Sequence, residues 1–487
     1  MLLGIDIGTS SSKGVLVRPD GTLVASATRE HGVSTPQPGW VEHDAADVWW
    51  ADLASLVAEL LPAADEVTGV GISGIGPCVL VADADGRPLR PAILYGVDTR
   101  ATAEITELTE RYGAEKILAR GGSPLTTQAV GPKLAWLRRH EPATWAATRR
   151  LFMASSWLVH ELTGEYVLDH HSASQSSPLY DAGTLSWAED WADDIAPGLE
   201  RPRLAWPGEV VGRVTARAAA RTGLPEGVPV VAGTVDAWAE AVSVGVRDPG
   251  DVMLMYGTTM FLVEVLPERR SSERLWGTVG AFPGTYTLAG GMATSGAITG
   301  WLRGLTGRSY GDLTEAARDA GPGACGLLML PYFAGERTPL FDPDARGVLV
   351  GLTLRHGPGH LYRAALEGTA FGVRHNLEAM GENAGRRLVA VGGGLRGGLW
   401  TQIVSDVLQE PQDLPTYAIG ASYGDALLAG LGTGLVTDAS GWNPIASVVR
   451  PDPEAAAGYD ELYRLYRDLY PATRDTAHAL AALNARG

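Results

Sequence analysis

Apolar positions fall in short, strand-length runs along the chain, and the first run sets a pattern that the second half repeats. Leu3-Gly4-Ile5-Asp6-Ile7 reads as a buried strand, Gly8-Thr9-Ser10-Ser11 as a tight turn, and Val15-Leu16-Val17 as the returning strand. Residues 1–30 read as a short meander that turns again at Arg18-Pro19-Asp20-Gly21, a Pro/Gly turn signal. Val48, Leu53, Leu56, Val57 and Leu60 have helical spacing, which predicts a helix over 47–61. Strand-like runs come next at 67–72, 79–81 and 92–94, and residues 102–200 read as mainly helix and loop. The run 229–233 is another buried strand; it continues through Thr234-Val235-Asp236 into a helix that opens at Ala237.

Near the middle, Arg247-Asp248-Pro249-Gly250-Asp251 reads as a linker. Directly after it the opening pattern returns: an apolar strand from Val252, a turn at Gly257-Thr258-Thr259, and an apolar strand to Val263. Two halves that each begin with such a hairpin predict a duplicated architecture with a nucleotide between the halves. The second half continues with a glycine loop at 290–296, a helix over 297–302, a strand over 327–330 and a helix over 361–380. The strand 388–391 runs into Gly392-Gly393-Gly394, where a backbone without Cβ atoms can approach a flat ligand. A helix from Leu399 turns its positive end toward that loop. The stretch 412–415 is polar and broken by Pro415, a poor strand.

The chemistry starts with Asp6. An ionised carboxylate between Ile5 and Ile7 is costly unless a charge or hydrogen bonds compensate it. Beside it lies a turn rich in Gly and hydroxyls, whose N–H groups can face an anion. The pair suggests a hydrated metal ion next to a phosphate; an ordinary hairpin with a Ser/Thr turn would carry the same residues. Asp236 stands at the carboxyl end of a strand, where open α/β folds keep their ligand crevice, and it could equally cap the helix that it precedes.

Bulk properties narrow the class. The 487 residues are enough for two or more domains, and 45% hydrophobic and 20% charged content with 62 glycines describes a turn-rich globular protein. A net charge of −17 without a Lys/Arg block argues against nucleic acid as the main partner. Cys78 and Cys325 alone cannot build a disulfide framework or a thiolate zinc site. The opening residues enter a strand with no basic leader, and no apolar run is long enough for a bilayer, so a cytoplasmic enzyme with no membrane partner is expected.

Other motifs fail on context. Gly69-Val70-Gly71-Ile72-Ser73-Gly74 has dinucleotide spacing but overlaps a strand and leads into Gly76-Pro77 rather than a helix. Gly420-Ala421-Ser422-Tyr423-Gly424 fits a nucleophile elbow, which makes a serine hydrolase using Ser422 the reading from a different class. His356 and His360 enclose Gly and Pro rather than a helical turn, a poor metal pair. There is no Walker A loop.

Taken together these residues resemble the FGGY family of carbohydrate kinases, nearly end to end. Gly347-Val348-Leu349-Val350-Gly351-Leu352, followed by His360-Leu361-Tyr362-Arg363-Ala364-Ala365-Leu366-Glu367, matches the family's C-terminal signature at every position. The stretch 6–13, the run 330–339 and the triple-glycine loop are similar to family motifs, and the signature near 132–137 is partly kept. The resemblance implies an α/β protein of two actin-like (ribonuclease H-like) domains, each a central mixed sheet with flanking helices, separated by an interdomain cleft. It implies that 1–246 carries most of the sugar site and the catalytic base, and 247–487 most of the nucleotide site.

By position, the resemblance makes Asp236 the catalytic base and Asp6 a holder of Mg2+. Thr9, Ser10, Ser11 and Lys13 would face the terminal phosphates of ATP, with Gly257, Thr258 and Thr259 opposite. Gly296, Gly300, Gly392, Gly393, Gly394 and Gly397 would line the nucleoside. Gly76, Pro77, Tyr95, Asp98 and Asp236 would face the sugar. The chain is most like the xylulokinase branch, yet carries Gly76-Pro77 where that branch has Met-His and Ala237 where it has Asn; Gly397 replaces a polar residue at the nucleotide edge. The implied activity is ATP- and Mg2+-dependent phosphorylation of a ketopentose such as D-xylulose or D-ribulose, or of another polyol, sugar acid or ketose. A homodimer is a family-level expectation. A non-catalytic actin-like sensor would need neither the base nor the metal carboxylate.

Overall fold

A computed structural model describes residues 1–383 and 385–484 of the chain. It separates into two compact units. The first comprises 1–248, 266–287 and 419–444; the second comprises 249–265, 288–418 and 445–487.

The first unit is built on a mixed sheet whose strands follow the order Val210–Arg213, Pro229–Val231, Gly69–Gly74, Leu2–Ile7, Ser11–Val17 and Leu23–Glu30, with Thr234–Val235 also paired to Gly69–Gly74. The opening meander is antiparallel, whereas Gly69–Gly74 runs parallel to Leu2–Ile7. Register then does something the linear sequence conceals. Asp6 lies opposite Lys13 on one side and Ser73 on the other, and Ser73 lies opposite Thr234. Lys13, Asp6, Ser73 and Thr234 thus form one row across four strands.

Leu53, Leu56, Val57 and Leu60 of the helix Ala51–Leu60 are buried, on the predicted spacing. Helical backbone already begins at Ala45, because Asp44 Oδ1 accepts the N–H groups of Ala46 and Asp47. The helix Ala421–Gly432 packs on Leu2–Ile7 and Gly69–Gly74 at backbone distance. A Cβ on Gly4 would sit 1.8 Å from Ser422 O, and one on Gly71 would sit 2.1 Å from Asp425 O. Only glycine permits that approach.

In the second unit, strands follow the order Tyr286–Met292, Met260–Leu266, Asp251–Tyr256, Arg387–Val391, Gln412–Pro415 and Ile445–Val449. Asp251–Tyr256 is antiparallel to its hairpin partner and parallel to Arg387–Val391, the same plan as Leu2–Ile7 in the first unit. The predicted recurrence of the hairpin is therefore a recurrence of topology. Flanking helices include Gly296–Thr306, Pro358–Ala379, Leu399–Leu408 and the long Pro453–Asn484.

Gln412–Pro415 corrects the sequence reading, which took this stretch for a poor strand. It pairs on both sides. Its polar residue is satisfied internally: Gln412 accepts from Tyr256 OH at 2.5 Å and donates to Thr401 O at 2.9 Å and Ser405 Oγ at 2.8 Å. Pro415 is at the strand end, beside a bulge, where its missing N–H costs no ladder bond. Among the described residues no helix is long and apolar enough to cross a membrane.

Candidate active site

In the first unit the row across the sheet ends in a cluster of carboxyl groups. Asp236 opens the helix Asp236–Ser243 immediately after the strand Thr234–Val235, and its Oδ1 accepts the Ala237 N–H at 2.6 Å. Burial pushes its pKa up to about 6, against that bond. Asp6 is pushed up to about 8, first by burial and then by the charge of Asp236. Glu240, one helical turn after Asp236, is pushed up to about 7, again chiefly by burial. Asp425, from the helix Ala421–Gly432, is wholly buried and raised well above the usual carboxylate range by burial and by Asp6.

Ser73 Oγ bridges two of these groups, 3.1 Å from Asp6 Oδ1 and 2.7 Å from Asp425 Oδ2. Lys13 Nζ donates to Ile419 O at 2.6 Å, at the entrance of the same helix, and is the cation that offsets both Asp6 and Glu240.

The turn after Asp6 is closed by Gly8 N donating to Ser11 O at 3.0 Å. His31 Nε2 lies 3.1 Å from Gly8 O, and its other nitrogen is 2.8 Å from Asp52, which also accepts from Ser12 Oγ at 2.7 Å. Thr9 Oγ1 lies 3.0 Å from Tyr95 OH, so Tyr95 reaches the turn that follows Asp6; Ser10 is exposed and Ser11 half-buried. Gly76 abuts Val235, the residue before Asp236. Burial chiefly pushes the Cys78 thiol pKa up, and the Asp236 charge adds to that rise.

Asp98, expected to face the sugar, is instead enclosed. It accepts from Val41 N at 2.7 Å, from Arg100 N, and from the Arg100 guanidinium on both oxygens. With its lone pairs occupied it holds the Tyr95–Arg100 loop in shape. Ser422 is wholly buried in the helix seated on Leu2–Ile7, where no substrate reaches it.

In the second unit Gly296, Gly392 and Gly394 pack against the second hairpin, whereas Gly300, Gly393 and Gly397 do not touch it. Ser295 Oγ donates to Gly257 O at 3.0 Å, Gly296 N donates to the same carbonyl, and Ala297 N to Thr258 O at 3.1 Å. The N-terminus of the helix Gly296–Thr306 is thereby fixed against the turn, with Thr258 exposed and Thr259 half-buried. Gly392, at φ +101°, passes against the backbone of Tyr256, and a Cβ there would lie 2.5 Å from Tyr256 O. Gly394 packs on Trp400, Gly393 is exposed, and Gly397 O accepts from Arg318. Gly300 lies close to Tyr310, and both line a 770 Å³ depression together with Arg303 and Arg308.

Sequence reasoning missed Glu240, Ser73 and Asp425. Two of them left a signal. Glu240 follows Asp236 at i+4, the same face of one helix. Asp425 is the one carboxylate in an otherwise apolar helix over 421–432.

No three His, Cys, Asp or Glu side chains among the described residues form a ready metal cage. Mg2+ does not require one: it keeps several waters and takes one or two carboxylates together with phosphate oxygens. Asp6, half-buried, crowded by Asp236 and offset by one lysine, fits that role, because a divalent ion would relieve the burial and repulsion that raise its pKa.

Comparison with known proteins shows the family of the chain. Residues 1–243 match the N-terminal domain of the FGGY family of carbohydrate kinases and residues 252–433 match its C-terminal domain. The xylulose kinase of Escherichia coli is 31% identical, with 96% of this chain and 98% of that protein covered. The glycerol kinase of Nocardia farcinica is 32% identical over 88% of this chain and 89% of its own length. The crystal structure of xylulose kinase from Rhodospirillum rubrum superposes with a TM-score of 0.90 at 34% identity, covering 98% of this chain and 99% of that one.

Proposed function

This chain belongs to the FGGY family of carbohydrate kinases, phosphotransferases with an alcohol group as acceptor, and from that premise we propose that it phosphorylates a ketopentose, D-xylulose or D-ribulose, with ATP and Mg2+. Supporting the ketopentose are relatives and solved neighbours named xylulose kinase over nearly their whole length.

Asp236 acts as the base. It accepts the proton of the sugar hydroxyl as the oxygen of that hydroxyl forms its bond to the terminal phosphorus and the bond from phosphorus to the bridging oxygen breaks, leaving ADP. Phosphoryl transfer asks the protein chiefly for positioning and charge neutralisation, and one carboxylate for the proton. Mg2+, when bound, offsets phosphate charge, and Asp6 is the residue that would hold it. Thr9, Ser10, Ser11 and Lys13 in the first unit and Gly257, Thr258 and Thr259 in the second bind the phosphates. Gly296, Gly300, Gly392, Gly393, Gly394 and Gly397 line the nucleoside. Gly76, Pro77 and Tyr95, the neighbours of Asp236 and of the turn, face the sugar. In this division 1–246 supplies most of the sugar site and 247–487 most of the nucleotide site.

The observation that carries the reading is the row Lys13, Asp6, Ser73, Thr234, which leads directly into Asp236. The test is ADP release with MgATP across pentuloses, hexuloses, sugar acids and polyols including glycerol. Stimulation by a pentulose, abolished in Asp236→Ala while ATP still binds, is the expected result. Stimulation by glycerol or a sugar acid alone overturns the ketopentose and keeps the kinase. Unchanged turnover in Asp236→Ala overturns the base.

A further inference from the structure

His31 directly follows the strand Leu23–Glu30 and backs the turn Gly8–Ser11 with two hydrogen bonds. Its backbone N–H donates to Ser10 O at 3.0 Å, and its ring Nε2 lies 3.1 Å from Gly8 O. Both turn atoms are carbonyl oxygens, which only accept, so Nε2 supplies the hydrogen of its bond. The ring is held from two other sides. Its Nδ1 is 2.8 Å from Asp52 Oδ2, which also accepts from Ser12 Oγ at 2.7 Å. The edge of His43 meets it with ring centroids 5.1 Å apart, and His43 is in turn fixed by Trp49 Nε1, 3.1 Å from its Nδ1. His31 is thus a braced strut between the helix Ala51–Leu60 and the turn.

The strut decides which way two peptides of the turn face. A trans peptide points its C=O and its N–H in opposite directions, and the 8–9 and 10–11 peptides are trans. With Gly8 O and Ser10 O drawn to His31, the N–H groups of Thr9 and Ser11 in the same two peptides are turned to the other side. The Thr9 N–H is bonded to no acceptor among the described residues. A turn that binds an anion must offer it N–H groups and keep its carbonyl oxygens away.

We propose that His31 is a positioning residue for the phosphates of ATP: it draws the Gly8 and Ser10 carbonyls back, so that the turn presents N–H groups to the nucleotide instead of oxygens. The orientation of the two peptides stands on geometry; its consequence for the nucleotide rests on the reading that Thr9, Ser10 and Ser11 bind phosphate. His31 itself touches no phosphate and no sugar in this scheme.

The experiment is calorimetric titration of the full chain with MgATP and, separately, with adenosine. It compares wild type with three variants. His31→Leu is close in size and has no donor. His31→Asn replaces Nδ1, keeps a group for Asp52 and stops short of Gly8 O. His31→Gln puts an amide nitrogen in the place of Nε2, where it donates to Gly8 O. His31→Leu and His31→Asn should each weaken MgATP about tenfold, the order expected for one misplaced hydrogen bond to a charged group, and leave adenosine unchanged. His31→Gln should recover most of the loss. His31→Asn carries the test if His31→Leu does not fold.

A residue that merely steadied the hairpin would lower Tm without this split between MgATP and adenosine, or would lose as much in His31→Gln as in His31→Leu; either result overturns the proposal. The two readings fail separately. Wild type binding MgATP no more tightly than adenosine removes the phosphate turn and, with it, the role of His31. Wild type binding MgATP through its phosphates while His31→Leu and His31→Asn bind it equally well keeps the phosphate turn and overturns His31 alone.

Discussion

Asp236 as proposed base makes a quantitative demand on the pH profile. Only its ionised form can accept the hydroxyl proton, so kcat/KM should fall on the acid side. Burial raises its pKa to about 6, opposed by the Ala237 N–H at 2.6 Å. With that value about 90% of the enzyme is competent at pH 7, about half at pH 6 and about 10% at pH 5, a loss of roughly one order of magnitude per unit below the midpoint. An ordinary Asp, with a pKa near 3.9, would leave the rate flat through this range. The assay is initial-rate ADP release at sub-saturating sugar from pH 5 to 8, with MgATP saturating so that Asp6 stays ionised against the metal. Asp236→Asn should remove the acid limb and lower kcat by about 10²–10⁴-fold, the usual worth of a positioned base. A flat wild-type profile down to pH 5, or an acid limb that persists in Asp236→Asn, would refute the reasoning.

Packing and charge give two further outcomes. Gly4→Ala sets a Cβ 1.8 Å from Ser422 O, a backbone atom that cannot swing aside; we expect about 3 kcal/mol or more of destabilisation and a calorimetric midpoint lower by roughly 5–10 °C. Gly32→Ala, which meets nothing within 4 Å, should stay near wild type, and equal midpoints for the two variants would sink the packing argument. Glu336 and Asp6 are raised to about 8 and Glu240 to about 7, so between about pH 4 and 8 the folded state holds protons that the unfolded chain has lost. That stability is fully present below about pH 4 and is lost as pH rises through 7 to 8; the nucleotide-free midpoint should fall from pH 5 to pH 8, and a rise would contradict the sign.

Much of the fold is legible in the chain because apolar runs and turn residues act locally. The hairpin at 2–17 and its recurrence at 251–266, and the strand that delivers Asp236 to a helix start, all rest on nearest-neighbour pattern. What is not legible depends on partners far away in sequence. Gln412–Pro415 looks like loop until Tyr256, Thr401 and Ser405 supply the hydrogen bonds of Gln412. Asp98 looks like a ligand residue until Val41 and Arg100 are seen to occupy it. Ser73 looks like any strand serine until the parallel register sets it beside Asp6 and a helix 352 residues later closes over it.

That register also explains why the seat of the helix and the chemistry of the site share the same strands. Side chains two apart on a strand point to the same face, so Gly4 shares a face with Asp6 and Gly71 with Ser73. Gly4 pairs with Gly71 and Asp6 with Ser73, so one face of two strands carries a glycine pair and, one step along, a polar pair. The glycine pair admits the backbone of Ala421–Gly432 at Ser422 and Asp425. Once that backbone is admitted, the Asp425 side chain reaches the Ser73 hydroxyl and shuts it from water. A slip of one residue would turn both pairs to the opposite face and lose the helix seat and the carboxyl cluster together. The glycines therefore do more than relieve crowding: by fixing which face the helix occupies, they fix which side of Asp6 is buried against Ser73.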